Sequence, residues 1–168
     1  MAILEDEKVS SLIQEPKSIP GNWRSKLHLR KARYGAHRER ELEVTGDAGG
    51  TFKIIVRDNP NLLHDFSVVL LYLDNETTAK WRLRRYNGNT HCHTNIIEFR
   101  NGVPMSRFGN KFHIHICTKR YQMEGHKEDH FAEVTERYSD LEGAISCLLT
   151  DCGFIIEDSQ NPQLRMGF

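Results

Sequence analysis

Along the chain, short stretches of period-two apolar spacing are separated by polar breakers, and one helical stripe stands near the C-terminal end. Leu42 and Val44 alternate with Glu41, Glu43 and Thr45; beyond the turn-forming run Gly46-Asp47-Ala48-Gly49-Gly50, Phe52, Ile54 and Val56 alternate with Lys53, Ile55 and Arg57. The pair predicts an antiparallel hairpin. Asp58-Asn59-Pro60-Asn61 breaks the second strand, and the nearly unbroken apolar run from Phe66 to Leu73 predicts a central strand covered on both faces. Asp74 to Thr78 turns the chain back into 79–86, where Trp81 and Leu83 alternate with Arg82 and Arg84, a second hairpin. A further strand is expected over 111–120, in which Phe112, Ile114 and Ile116 alternate with His113, His115 and Cys117.

Helical signals flank these strands. Ile3, Leu4, Val9, Leu12 and Ile13 predict a short helix within 3–15, stopped by Pro16. Near the other end, Ser139-Asp140-Leu141-Glu142 reads as a capping box, and Leu141, Ile145, Leu148, Leu149 and Cys152 share one face until Gly153. Gln122 to His130 is polar and reads as a loop, Phe154 to Ile156 as a small strand, and Asn161 to Phe168 as a frayed end. The fold class is therefore α+β: a curved, mainly antiparallel sheet of about five strands, a C-terminal amphipathic helix packed on one face, and a short N-terminal helix. The 168 residues read as a single domain, with an N-terminal arm over 1–20, the sheet over 39–120 and the helix over 139–153.

Composition narrows the setting. Lys plus Arg equals Asp plus Glu at 23 each, so net charge supplies no global attraction to nucleic acid. Its distribution is uneven: seven basic residues lie between Arg24 and Arg40 against the single acid Glu39, whereas ten acids between Glu124 and Asp158 face only Lys127 and Arg137. If the fold keeps the two runs apart they make a dipole; otherwise each solvates its own surface. Cys92, Cys117, Cys147 and Cys152 have no metal-ligand or disulfide-scaffold spacing and read as reduced thiols of a cytoplasmic protein. The start lacks the pattern of a signal peptide and no apolar run is long enough to span a bilayer, so no membrane partner is expected.

The candidate chemistry lies in two His-x-His steps, His91-Cys92-His93 and His113-Ile114-His115. A strand through the second buries Phe112, Ile114 and Ile116 and displays both imidazoles on the other face. Imidazole is acid, base and metal ligand near neutral pH, so convergence of the two steps would make a site. His28, His37 and His64 carry no such pattern. With Glu98 five residues after His93, the first step looks like the first motif of cupin barrels, though no second motif follows; His91, His93, Glu98 and His113 would then hold a divalent transition metal. Without a metal, paired histidines flanked by Arg82, Arg84, Arg85, Lys119 and Arg120 supply the base, acid and cations that RNA cleavage needs. The His-x-Thr/Ser steps of two-histidine phosphoesterases are missing.

The stretch from Trp81 through Arg84-Arg85-Tyr86-Asn87-Gly88 to His91-Cys92-His93, followed by Lys111-Phe112-His113-Ile114-His115-Ile116 and Tyr121, resembles bacterial small proteins of unassigned function. In these an Arg-Tyr-Asn-Gly element with a following histidine precedes a His-Ile-His strand, an order similar to that of the TumE-like toxins of toxin-antitoxin pairs. The resemblance covers about residues 66 to 120 and implies an RNA-targeting, toxin-like or defence-associated domain, with a cognate antitoxin or other protein as partner. Three readings follow. The first is a ribonuclease-like enzyme without cofactor, with His93, His113 and His115 catalytic and Arg82, Arg84, Lys119 and Arg120 on phosphate. The second is the metal site, and the third a non-catalytic interaction or counter-defence protein whose histidines line a groove.

Overall fold

A computed structural model describes residues 2–30 and 35–157, apart from the Arg30 side chain. The expected fraying of 161–168 and the Lys31 and Arg33 part of the basic run lie outside the described residues. The first expected hairpin is β3 (Arg38–Thr45) and β4 (Thr51–Asn59), and the second is β5 (Leu62–Leu73) and β6 (Lys80–Asn87). Sequence patterning left out two short edge strands, β2 (His28–Arg30) and β10 (Ala132–Val134), because three-residue strands carry almost no periodicity. With β9 (His113–Ile116) they complete a seven-stranded, wholly antiparallel sheet in the order β10-β9-β6-β5-β4-β3-β2. The strand expected over 111–120 stops at Ile116, and Lys119–Met123 forms the short helix α3 instead. The class is α+β as expected, with a wider sheet. No described helix is long and apolar enough to cross a membrane.

One face of the sheet carries Phe52, Ile54, Val56, Phe66, Val68, Leu70, Tyr86 and Ile114, all buried, and is the main core. The C-terminal helix α4 (Leu141–Asp151) lays Ala144, Ile145 and Leu148 on it. Asp140, rather than Ser139, is its N-cap and accepts a 2.7 Å bond from the Gly143 amide, an arrangement worth about 1 kcal/mol. The N-terminal helix α1 (Asp6–Gln14) buries Val9, Leu12 and Ile13 in the same core. After each helix comes a short strand, β1 (Lys17–Pro20) and β11 (Phe154–Glu157), and the two pair in parallel.

The opposite face differs from expectation. Ser67, Val69 and Leu71 of β5 point to it, yet only Val69 is buried there, and Ile55, Val69 and Leu71 floor a trough of about 550 Å³ walled by Arg57, Lys80, Arg82 and Arg85. The central strand is thus covered on one side and open on the other. A bulge in β6 explains which arginines face the trough. Leu70 pairs with Arg84 and Leu71 with Arg82, which leaves Leu83 as the extra residue. Strict alternation would put Trp81 and Tyr86 on opposite faces. The bulge turns both, with Leu83 and Arg84, toward the core and sends Arg82, Arg85 and Asn87 to the trough side.

The two helices are joined to the sheet by one buried cation. Lys17, fully buried, donates from Nζ to the carbonyls of Leu12 (2.8 Å), Ile13 (3.2 Å) and Glu15 (2.7 Å) at the end of α1, and of Cys152 (2.8 Å) at the end of α4. Its ammonium also lies 4.4 Å from the Phe52 ring centroid. These carbonyls are ones that a helix C-terminus leaves without amide partners, and the helix dipole favours a cation beside them. Burial pulls the ammonium down from its ordinary 10.5 to about 8, against the attraction of Cys152 and Glu15, so it remains charged at pH 7. Lys17→Met keeps the volume but leaves the carbonyls without their donor. It should cost at least about 3 kcal/mol of unfolding free energy by urea titration, and a loss below about 1 kcal/mol would show that the cation is dispensable.

Candidate active site

Outer-face positions at the β9 end of the sheet converge the two His-x-His steps. Pairing aligns His115 with Arg85 and Ala132, and His113 with Asn87 and Val134, while Ile114 aligns with Tyr86 on the core face. The opposite-face expectation for the histidines therefore holds, but they are not displayed: His113 is 0% and His115 3% exposed. Segment 88–110 crosses over them, carrying β7 (His93–Thr94), α2 (Ile96–Arg100) and β8 (Arg107–Phe108). The His93 ring stacks on His113 at 5.7 Å and meets His115 edge-on at 4.8 Å; His91 and Phe108 close on His113 at 5.2 and 5.3 Å. His130 joins at 5.2 Å from His93, with Tyr121 stacked on it.

Asn95 pins this cover to the sheet edge. Its side chain accepts from the Ala132 amide (2.8 Å) and donates to the Ala132 carbonyl (2.7 Å), as a neighbouring strand would, and its Oδ1 also receives the His93 Nε2–H at 3.0 Å. Backbone carbonyls set the other tautomers. His113 Nδ1 lies 2.7 Å from the Lys111 carbonyl and His115 Nδ1 2.8 Å from the Asp129 carbonyl. A carbonyl only accepts, so both protons sit on Nδ1 and both lone pairs on Nε2. The lone pair of His115 has no hydrogen-bond partner, whereas that of His113 faces the Asn87 amide nitrogen at 3.4 Å.

Desolvation keeps these rings neutral. Burial, with smaller contributions from His91, His93 and Arg85, takes His113 from 6.5 to about 4 against the pull of the Lys111 carbonyl. Burial, then Arg85 and the neighbouring imidazoles, takes His115 to about 2 against the Asp129 carbonyl. His93 is lowered as well, chiefly by burial, with the Asn95 hydrogen bond opposing. His113 and His115 thus form a dry, uncharged backing and are not an acid and base in contact with substrate.

The accessible chemistry lies beside them, in a cleft of about 90 Å³ lined by His37, Arg57, Asp65, Arg85, Asn87 and His91 among others. His91 is exposed and touches buried His113 edge-on. His37 Nε2 is 2.7 Å from Asp65 Oδ2. Burial alone would raise the Asp65 carboxyl, but hydrogen bonds from Asn59, His37 and Thr90 outweigh it and hold it below the usual carboxylate range. A carboxylate so placed orients the imidazole and stabilises the charge that the ring gains on protonation. Arg85 pairs through Nε with Asp129 Oδ2 at 2.8 Å, and Asp129 is itself fully buried.

Of the expected phosphate-binding residues, Arg82 borders the trough, where it pairs with Glu128 at 3.5 Å. Arg84 is turned to the other face by the bulge. Lys119 is bound to Glu5 at 2.8 Å, and Arg120 pairs with Glu98 while lying over Tyr121 and Phe131. Glu98 also accepts from the Tyr121 hydroxyl at 2.6 Å, so it is engaged away from His91, His93 and His113. Among the described residues no three His, Cys, Asp or Glu side chains are arranged to hold a metal ion. The four expected ligands do not fit one. Nor are the basic and acidic runs kept apart, because Arg24 pairs with Glu142 at 2.7 Å. His126 and His130 lie in non-helical chain with rings 5.7 Å apart.

Sequence reasoning missed His37, Asp65 and Asp129. Periodicity carries no trace of a pair 28 residues apart, and Asp129 lies in a segment whose polarity suggested a free loop. No family model matches the chain, and no curated protein or solved structure matches it either.

The histidine pair makes stability fall in acid. Both rings take up protons near 6.5 in the unfolded chain and only near 4 and 2 in the folded one, so the unfolded state binds more protons below 6.5. Stability is full above that pH and lost as it falls, by about 1.4 kcal/mol per unit for each ring, or about 4 kcal/mol by pH 5. Urea midpoints at pH 7 and 5 read this directly; equal midpoints would contradict it, and His113→Gln should remove about half the difference.

Proposed function

We propose that this protein is a toxin-like, RNA-directed domain that cleaves phosphodiesters by metal-free acid–base chemistry in the cleft between β4, β5, β6 and the His91 loop. The observation carrying the reading is that two imidazoles, His37 and His91, and two guanidiniums, Arg57 and Arg85, line one small cleft. These are the groups the reaction asks for: a base, an acid and cations for the phosphoryl oxygens.

The catalytic roles thus move from the buried histidines to the exposed one and to His37. His91 takes the 2′-hydroxyl proton, the 2′-oxygen bonds to phosphorus, the bond to the 5′-oxygen breaks, and that oxygen receives its proton from His37. The products are a 2′,3′-cyclic phosphate and a free 5′-hydroxyl, and water returns both imidazoles to their starting states. Asp65 orients His37 through their 2.7 Å hydrogen bond. His93, His113 and His115 position His91 from behind. The open trough beside the cleft, with Arg57, Lys80, Arg82 and Arg85 on its walls, offers cations to neighbouring phosphates of the same strand. In this reading the setting is the cytoplasm, consistent with four free cysteines, and a cognate antitoxin is the expected protein partner.

Purified protein incubated with mixed RNA in EDTA should yield fragments ending in cyclic phosphate. His91→Ala and His37→Ala should each slow cleavage by about a hundredfold or more while leaving the circular dichroism spectrum intact. No cleavage by the wild type, or undiminished rates in both variants, removes this mechanism.

A further inference from the structure

Asn87, in the lining of the cleft, has a side-chain oxygen without a partner among the described residues. The residue is 2% exposed, and the oxygen is Oδ1. The orientation of the amide follows from hydrogen bonding alone: with the His113 proton held on Nδ1 by the Lys111 carbonyl, Nε2 only accepts, and the Asn87 group facing it at 3.4 Å has to be the NH₂. Oδ1 is thereby left as an acceptor. A buried carbonyl oxygen without a donor is costly, and a water or a ligand group that supplies the missing hydrogen relieves the cost.

The surrounding cleft indicates which ligand. Arg85 uses Nε on Asp129, and its two terminal nitrogens donate to no described side chain. Arg57 is exposed on β4, across β5 from Arg85, and lines the same cleft. Two guanidiniums recognise a phosphate; the orphaned acceptor recognises a hydroxyl donor beside it. Asp65, the carboxylate in the cleft, is occupied by His37 and Asn59 and does not oppose an anion alone.

We propose that this cleft is a ribonucleotide subsite, with Arg57 and Arg85 on the phosphate and Asn87 Oδ1 accepting the hydrogen of the 2′-hydroxyl on the nucleotide that carries the leaving 5′-oxygen, a hydroxyl that takes no part in the reaction. The inference rests on the reading of the cleft as an RNA site and adds to it the means of distinguishing RNA from DNA, since the 2′-hydroxyl is the group that differs. Asn87 is a specificity residue: the amide that holds His113 with its nitrogen reads the sugar with its oxygen.

The test measures binding of fluorescein-labelled single-stranded uridine and deoxyuridine decamers by anisotropy, with gels run on the same samples to record cleavage. The wild type should bind the ribo-decamer about tenfold more tightly than the deoxy-decamer, the worth of one well-placed hydrogen bond. Arg57→Gln, at an exposed side chain, should weaken both decamers alike and keep the ribo preference. Asn87→Ser should abolish the preference with deoxy affinity unchanged; because Asn87 is buried, the wild-type comparison and Arg57→Gln test the subsite even if that variant fails to fold. Equal wild-type affinity for the two decamers, or unaltered binding in Arg57→Gln, overturns the subsite whether or not cleavage occurs. A ribo preference on intact, uncut decamers upholds the subsite and overturns only the cleavage mechanism.

Discussion

A single ammonium group inside the molecule fixes where everything else can lie. Lys17 takes the carbonyl ends of two helices that are distant in sequence and holds both against Phe52 of the sheet. Without a cation at that point, two sets of helix carbonyls would converge in an apolar core with nothing to receive them. With it, α1 and α4 occupy one face of the sheet side by side, and their following strands β1 and β11 pair as a matter of geometry. The other face is then left for function. The neighbouring carboxylate plays a related part, since Glu15 accepts from the Ala48 and Gly50 amides and anchors the β3–β4 turn to the end of α1.

The functional face follows a different logic, since its buried groups are polar. Burying imidazoles is tolerable only in their neutral form, and each ring is given a carbonyl or amide partner that decides which nitrogen bears the proton. Asn95 and Asn87 mediate this from two sides, one tying the cover to the sheet edge and one standing between the interior and the cleft. The outcome is a gradient from dry, neutral rings beneath to an exposed ring at the opening. Such a gradient suits a site in which exposed side chains do chemistry while buried ones hold them in place.

Much of this architecture was legible in the residues. Alternation in Leu42 to Val56 and the stripe from Leu141 to Cys152 specified a hairpin and a helix because each buries one face against a continuous core. The two histidine doublets were legible as candidates, one in a strand and the other just beyond a second strand, but their convergence was not. What escaped were features set by tertiary contact. Polarity at Glu128 to His130 reads as solvent exposure, yet Asp129 is fully buried, pairing with Arg85 through its carboxylate and holding His115 through its carbonyl. Alternation placed Arg82 and Arg84 on one face, whereas the register shift turns Arg84 to the core and sets Arg85 beside Arg82, an outcome that residue type does not encode. His37 needed Asp65 to become interesting, and their partnership exists only once β3, β4 and β5 are laid side by side.

The extra residue at Leu83 therefore governs more than local twist. It acts as a phase change in the strand: upstream of it even-numbered side chains meet the trough, downstream of it odd-numbered ones do. Which guanidinium serves the cleft and which is consigned to the interior is decided by counting along the backbone. The same residues paired without the bulge would present Arg84 where Arg85 now stands, without altering a single side chain of the run. Deleting Leu83 itself would do the reverse, restoring regular pairing while Arg82 and Arg85 kept their present surface. Shifts of register in β6 are thus a sharper instrument for remaking this surface than substitutions are.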